Sequence, residues 1–277
     1  MRVRSEKGTS RPRRRVRKRR LAALLLVLFV AAFLSFTFGL VRAVASEIPA
    51  LDPAAQHSDV DTVVYASNGR TVLAVLRGDE SRVLVGTEDI APIMRQAIVA
   101  VEDKRFFEHD GIDVRGVARA LWQDVRNQGI VEGGSTITQQ FVKNAYIRNE
   151  RTLARKVREA ALAWQLEQRW SKDRILTAYL NTIYFGHGAY GIQQAARAYF
   201  KKSAKELTLS ESALLAGIPS DPSLYDPAAN PRNAILRRRH VLSMMLGQGK
   251  ITWRQYTRAD RAELPVPEDI RLPGTHG

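Results

Sequence analysis

The chain has 277 residues, of which 45% are hydrophobic, and its 43 Lys and Arg against 28 Asp and Glu give a formal net charge of +15. This length and apolar content argue against a wholly disordered chain and suit one large domain or two small ones. The absence of cysteine excludes a disulfide scaffold, a thiolate zinc site and a cysteine nucleophile. Eleven of the first 20 residues are basic, so the charge is concentrated there and we expect no nucleic acid among the partners.

The N-terminus combines this basic tail with an uncharged apolar run at residues 21–41. A helix of that length spans about 31 Å, which matches the hydrocarbon core of a bilayer. We therefore expect residues 1–20 to be a cytoplasmic tail near anionic lipid head groups, and residues 21–41 to be a single transmembrane anchor. A cleaved signal peptide is the alternative, because Ala43-Val44-Ala45 resembles a cleavage site, but the apolar run is longer than a signal peptide needs.

The rest of the chain is predicted to be an extracytoplasmic, mainly α-helical domain at residues 61–263, between a linker at residues 42–60 and an extended tail at residues 264–277. Two β-branched stretches flank the turn signal Ser67-Asn68-Gly69 and predict a small β-hairpin at the start of the domain. Helical periodicity then predicts helices from Ala91 onward and at residues 114–127, 137–145, 151–170, 172–183, 192–200, 210–216, 233–247 and 252–262.

The first candidate for chemistry is Glu102, which directly follows the apolar face of the helix that begins near Pro92. A carboxylate partly buried at a cleft edge has a raised pKa and can transfer protons near neutral pH. The local sequence by itself favours the alternative, an ordinary solvated charge at a helix end. His109, in the same segment, is expected to be a hydrogen-bonded structural histidine, because no second histidine lies at metal-ligand spacing.

Two further segments carry polar patterns that suit a diphosphate. Gly133 and Gly134 open a helix on which Thr136 and Gln139 have capping-box spacing, and a helix N-terminus offers free N–H groups to phosphate oxygens. A polar face of this helix continues to Lys143, although such a face is usually only solvated. Arg155 and Glu159 form either an exposed helical ion pair or a cation and a second carboxylate across a cleft from Glu102.

Taken in order, these segments resemble the five motifs of the peptidoglycan glycosyltransferase domain, glycosyltransferase family 51, of class A penicillin-binding proteins and monofunctional transglycosylases. The similarity covers residues 60–260. The motifs are Glu102-Asp103 with Phe106, His109 and Gly111; Gly134 to Gln140 with Lys143 and Asn144; Arg155 to Glu159; Ser171 to Asn181, continuing through Tyr184-Phe185-Gly186 and Tyr190-Gly191; and Arg237-Arg238. Lys201 departs from the pattern, because the family commonly has glycine at that position.

The resemblance implies a lysozyme-like, mainly α fold with a membrane-dipping segment at residues 114–132, which includes Leu121 and Trp122. It implies polymerisation of lipid II into glycan strands, by inverting transfer that forms β-1,4 linkages and releases undecaprenyl diphosphate. Glu102 would be the general base. Glu159, the second catalytic carboxylate, would lie near the diphosphate, where it would hold Mg²⁺ or Mn²⁺ or position Lys143 and Arg155.

The resemblance also implies a set of substrate-binding residues, some of which shape the acceptor side and others of which bind the donor diphosphate. The set is Asp103, Phe106, His109, Ser135, Thr136, Gln139, Gln140, Lys143, Asn144, Arg155 and Lys156. The implied partners are lipid II, the growing lipid-linked strand, membrane lipids and cell-wall synthesis proteins that include a transpeptidase. The implied location is the bacterial cell membrane.

Three questions stay open at this point. The Ser-x-x-Lys and Lys-Thr-Gly elements of a transpeptidase do not occur in the sequence, so the chain is expected to act as a glycosyltransferase alone or to be part of a bifunctional protein. A lysozyme-like lytic enzyme is an alternative that would need a carboxylic acid but no diphosphate site. A catalytically silent, membrane-anchored scaffold of the cell-wall machinery is another.

Overall fold

The computed structural model describes residues 18–46, 62–65, 72–76, 83–116, 134–146 and 153–270. Within these residues the protein is mainly helical, and the chain forms two compact units, Met1–Glu47 and Ile48–Gly277. The first unit contains helix α1 (Lys18–Ser46), which covers the residues for which the sequence predicts an anchor. Among the residues that the structure describes, no helix is both long enough and apolar enough to cross a membrane.

The second unit begins with two short strands, β1 (Thr62–Tyr65) and β2 (Val72–Leu76). They pair antiparallel, with Thr62 opposite Leu76. Several predicted features lie outside the described residues: the turn at residues 67–69, the linker from residue 47 to 60, residues 117–132 of the membrane-dipping segment, and residues 271–277 of the tail.

The helices of the second unit follow the predicted order closely. They are α2 (Pro92–Glu102), α3 (Ile137–Tyr146), α4 (Leu153–Glu167), α5 (Lys172–Thr182), α6 (Ile192–Phe200), α7 (Leu209–Gly217), α8 (Pro231–Gly247) and α9 (Trp253–Asp260). Local capping explains several of their starts. Pro92 and Pro231 occupy first-turn positions, where a missing N–H costs nothing, and Thr208 and Thr252 form capping boxes with Glu211 and Gln255.

Several predicted boundaries are wrong: α8 begins at Pro231 rather than at residue 233, and α9 ends at Asp260 rather than at residue 262. Helix α4 ends at Glu167 rather than at residue 170, because Ser171 is extended and caps α5 by accepting a hydrogen bond from the backbone N–H of Arg174. The chain must therefore leave the helical conformation before Ser171. The predicted extended tail contains a short 3₁₀ helix at Pro267–Asp269, where Lys201 pairs with Asp269 at 2.5 Å.

Two groups of packed helices determine where the candidate site lies. Helix α2 packs against α7 and α8, while α3 packs against α4 and α5. Their inward faces form one continuous apolar core, which includes Met94, Phe141 and Leu215. The C-terminal end of α2 meets α3, and α3 meets α5, so polar side chains at these helix surfaces are held together by a rigid core.

Candidate active site

The site is centred on Glu102, the last residue of α2, whose side chain is half-buried. The Nε2 group of Gln140, on α3, donates a hydrogen bond of 2.9 Å to Oε2 of Glu102. Burial raises the pKa of Glu102, the Gln140 hydrogen bond and the positive charge of Arg237 oppose that rise, and Asp103 adds to it. A carboxylate with a raised pKa and an oriented donor has the properties of a general acid or base near neutral pH.

Behind Gln140 lies Tyr179, a fully buried residue of α5. Its hydroxyl group donates a hydrogen bond of 3.0 Å to Oε1 of Gln140, on the side of the amide opposite to Glu102. Burial raises the pKa of Tyr179 well above its ordinary value, and the nearby carboxylates of Glu102 and Asp103 raise it further. The phenol therefore remains protonated and remains a donor. Tyr179, Gln140 and Glu102 form a hydrogen-bonded chain that crosses from α5 through α3 to α2.

Arg237, on α8, supplies the positive charge that acts on Glu102. Its Nε group donates to the carbonyl oxygen of Gly217 at 3.2 Å, and its guanidinium carbon lies 5.2 Å from the ring centroid of Tyr225. Arg237 and Tyr179 both lie within the family motifs, but the motifs by themselves predict a role for neither residue. The position of Arg237 in an ordered motif was a signal that could have led to it, whereas only the packing of α3 against α5 reveals Tyr179.

The segment after α2 is fixed by contacts of Asp103, Phe106 and His109. Asp103 is buried and accepts a hydrogen bond of 3.1 Å from the backbone N–H of Ile137, the first residue of α3. His109 Nε2 lies 2.9 Å from Oδ2 of Asp103, which confirms that this histidine is hydrogen-bonded. Phe106 is fully buried, with Lys172 Nζ 4.5 Å from its ring centroid. These contacts hold the segment against α3 and α5, and its role on the acceptor side stays a prediction.

Helix α3 begins with the predicted capping box. The backbone N–H of Thr136 donates to Oε1 of Gln139 at 2.9 Å, and the backbone N–H of Gln139 donates to Oγ1 of Thr136 at 3.2 Å. Thr136 is buried, and its hydroxyl group donates to the carbonyl oxygen of Gly111 at 2.7 Å. The side chains of Thr136 and Gln139 are therefore engaged with the protein's own backbone, and their contact with substrate stays a prediction.

A second polar cluster joins the start of α3 to α4. Glu159 is almost fully buried, with one carboxylate oxygen 3.0 Å from Arg155 Nε and the other 2.8 Å from Lys156 Nζ. Lys156 also donates to the hydroxyl oxygen of Ser135 at 3.1 Å. The described contacts of Glu159 are therefore with Arg155 and Lys156, not with Lys143, and its role in positioning cations stays a prediction.

Helix α3 connects this second cluster with Glu102, because Gln140 contacts Glu102 while Ser135, just before the helix, contacts Lys156. Lys143 and Asn144 lie further along α3 and are exposed. Lys143 has no ion-pair partner among the described residues, and it follows Gln140 by three positions, so the two residues share a face of the helix. The cluster thus offers cationic groups close to the helix that carries Gln140.

The described residues do not fit a divalent cation held by protein ligands alone. Both carboxylate oxygens of Glu159 already face cationic groups, whereas Mg²⁺ and Mn²⁺ prefer several oxygen ligands. In the part of the chain that the structure describes, no three His, Asp or Glu side chains are grouped so that they could hold a metal ion.

Comparison with known proteins identifies the family. A profile described as transglycosylase matches residues 68–246. Penicillin-binding protein 1A of Neisseria flavescens is 43% identical over 219 residues, which cover 79% of this chain and 27% of that protein. Penicillin-binding protein 1F of Bacillus subtilis is 40% identical over 238 residues, which cover 86% of this chain and 33% of that protein.

A solved structure, the 2.6 Å crystal structure of penicillin-binding protein 1A from Haemophilus influenzae, matches with a TM-score of 0.42 and 26% identity, over 74% of this chain and 20% of that one. The chain therefore spans about a third or less of the length of the relatives it matches. The family profile covers well over half of the chain, including Glu102, Gln140, Tyr179 and the polar cluster around Glu159. The chain belongs to the transglycosylase family, glycosyltransferase family 51, whose motifs its sequence resembles.

Proposed function

We propose that this protein polymerises lipid II into peptidoglycan glycan strands, with Glu102 as the general base. The observation that carries the proposal is the environment of Glu102, a half-buried carboxylate with a raised pKa that is oriented by Gln140. Membership of the transglycosylase family and similarity to penicillin-binding proteins 1A and 1F support the same assignment.

The proposed reaction is a single displacement at the anomeric carbon of the donor sugar. Glu102 accepts the proton of the acceptor sugar's 4-hydroxyl group as that oxygen forms its bond to the anomeric carbon. The bond from the anomeric carbon to the diphosphate oxygen breaks, and its electron pair leaves with undecaprenyl diphosphate. Attack from the face opposite to the leaving group inverts the configuration and gives a β-1,4 linkage. The raised pKa of Glu102 makes it a stronger base than an exposed glutamate.

The second polar cluster is the proposed binding site for the donor diphosphate. Arg155, Lys156 and the exposed Lys143 supply positive charge, and Ser135 supplies a hydroxyl group. Cationic donors arranged before the reaction stabilise the negative charge that develops on a leaving diphosphate. Glu159 holds Arg155 and Lys156 in place and is proposed to act in catalysis through them. A requirement for Mg²⁺ or Mn²⁺ stays a prediction that addition of a chelator to the reaction tests.

The proposed location follows from the substrate and from the N-terminal sequence. Lipid II is a membrane lipid, and the uncharged run at residues 21–41 follows a tail with eleven basic residues among its 20. We propose that this run anchors the protein in the cell membrane with the tail in the cytoplasm. Membrane lipids are then partners, as are cell-wall synthesis proteins that include a transpeptidase, which would cross-link the strands.

Polymerisation of fluorescent lipid II by the full chain in detergent tests the proposal. The expected product is a polymer that lysozyme digests, and the same protein should leave isolated glycan strands intact. Cleavage of the strands without polymerisation would instead indicate a lytic enzyme. A folded protein that does neither would indicate a scaffold, and both of these outcomes contradict the proposed function.

A further inference from the structure

We propose that Tyr179 is a positioning residue for the base: its hydroxyl group holds the Gln140 side-chain amide in the one orientation that donates to Glu102. The geometry that carries this inference is the chain of two hydrogen bonds, 3.0 Å from Tyr179 to Gln140 and 2.9 Å from Gln140 to Glu102. The inference rests on the proposed function only in that Glu102 is taken as the base of the reaction.

The Gln140 amide needs such a contact because its two ends have nearly the same shape and opposite hydrogen-bonding character. Rotation of the amide by half a turn would place its carbonyl oxygen against the carboxylate of Glu102 and remove the donor. A donor on the far side disfavours this rotation, because in the rotated amide the phenol could only accept from the Nε2 group of Gln140, and its O–H would lose the carbonyl partner. Tyr179 supplies that donor, and because it is fully buried in α5 its ring has little freedom to move away.

Tyr179 stays protonated, so its hydrogen bond to Gln140 persists over the pH range in which Glu102 titrates. Burial and the neighbouring carboxylates raise the pKa of Tyr179 well above its ordinary value, so the phenol keeps its proton wherever Glu102 titrates. A tyrosine that lost its proton would accept rather than donate, and would then favour the wrong orientation of Gln140. The Tyr179 hydroxyl group therefore remains a donor to Gln140 while Glu102, at the other end of the hydrogen-bonded chain, gains or loses its proton.

The hydrogen bond from Gln140 favours the charged form of Glu102 and so opposes the effect of burial. Two charged groups also act on Glu102: Arg237 of α8 favours its charged form, and Asp103 of its own segment disfavours it. Helix α7 also packs against α2, and its acidic residue Glu211 is paired with Lys202 at 2.7 Å. If the Tyr179 hydroxyl group is removed, Glu102 loses an oriented donor while these charges remain, and its pKa rises further.

The test compares Tyr179→Phe with the matched variant Tyr199→Phe in the full chain. Tyr199 is equally buried, and its hydroxyl group donates to the carbonyl oxygen of Phe185 at 2.8 Å, so both variants lose one buried hydrogen bond. The first measurement is the pH dependence of lipid II polymerisation. In Tyr179→Phe, the rise of the polymerisation rate on the acidic side of the pH profile is expected to move to higher pH. At a pH on that rise the reaction should be slower than in wild type by roughly tenfold. Tyr199→Phe is expected to leave the position of that rise unchanged.

The second measurement does not depend on activity. The side-chain carboxyl carbon of Glu102 is titrated by NMR in protein labelled with ¹³C-glutamate, and its signal is assigned by its absence in Glu102→Gln. The Glu102 titration should move to higher pH in Tyr179→Phe and not in Tyr199→Phe. An unmoved titration in Tyr179→Phe would overturn the inference, as would an equal shift in both tyrosine variants.

Gln140→Leu provides a further variant for the case in which Tyr179→Phe does not fold. It removes the middle of the hydrogen-bonded chain and is expected by itself to move the titration of Glu102 to higher pH. Adding Tyr179→Phe to Gln140→Leu should produce no further shift of that titration. An unchanged titration in Gln140→Leu, or additive shifts in the double variant, would contradict the inference. If the wild-type chain makes no polymer, the proposed function fails, whereas the NMR titration still decides the role of Tyr179.

Discussion

Glu102 is expected to lower the stability of the folded protein when it is charged, because burial of part of its side chain disfavours the carboxylate form. We predict that Glu102→Gln raises the free energy of unfolding relative to wild type at neutral pH. In the folded state the pKa of Glu102 lies above its unfolded value, so its protonated form contributes stability that is fully present at low pH. That contribution is lost as the pH rises through the folded-state pKa. Glutamine is neutral at every pH, so the variant keeps the stabilising contribution of an uncharged side chain at neutral pH.

Urea unfolding of both proteins at about pH 4 and about pH 7.5 measures this difference. The exposed residue Glu108, substituted by glutamine, serves as the control. A gain from Glu102→Gln that is the same at both pH values would contradict the argument that burial raises the pKa of Glu102.

Thr136 is a motif residue whose side chain has a structural role. Its buried hydroxyl group donates to the carbonyl oxygen of Gly111, so Thr136→Val would leave that oxygen without this donor. We predict a loss of about 1–3 kcal/mol in the free energy of unfolding, measured by urea denaturation. Ser135→Ala, one residue earlier and less buried, should change it by less than about 0.5 kcal/mol. Equal effects of the two substitutions would argue against a structural role for the Thr136 hydroxyl group.

At the scale of elements, helix ends explain the one departure from the family pattern. Lys201 lies at the C-terminal end of α6 with φ of 57° and ψ of 31°, in the left-handed region that glycine adopts without strain. This conformation accounts for the family's preference for glycine at that position. The lysine makes an exposed contact with Asp269, and such pairs contribute little to stability.

We predict that Lys201→Gly is more stable than Lys201→Ala by about 1 kcal/mol, measured by thermal or urea unfolding. Both variants lose the contact with Asp269, so the comparison isolates the backbone conformation at this position. Equal stability of the two variants would show that the left-handed conformation carries no strain at residue 201.

The sequence predicted the helices well and the contacts between them less well, for a physical reason. Periodicity and caps are local properties, so the bounds of α6 were predicted correctly and those of α3 and α5 to within one residue. The hydrogen-bonded chain joins residues 38 and 39 positions apart in the sequence, and it exists only because α3 packs against both α5 and the end of α2. Motif order identified Glu102 and Gln140, but no sequence pattern showed that Tyr179 holds Gln140.

At the scale of the whole molecule, the proposed anchor makes a prediction for the full chain. Leu28 and Val30 are exposed on α1 and lie near the middle of the run at residues 21–41, so substituting both by arginine changes no side chain that is buried in the described part of the chain. Each arginine in the middle of a membrane helix costs about 3 kcal/mol. We predict that the double arginine variant is released from membranes by an alkaline wash, whereas a double isoleucine variant is retained. Equal retention of the two variants would contradict anchoring by this helix.

The most direct test of the central claim is the rate of lipid II polymerisation by Glu102→Gln beside wild type and Glu108→Gln. Glutamine keeps the size of the side chain and cannot accept the acceptor's proton, so the rate should fall by about 100-fold or more. The folded state and the wild-type rate of Glu108→Gln should be preserved, because Glu108 is exposed. Polymerisation by folded Glu102→Gln at the wild-type rate would contradict the assignment of Glu102 as the base.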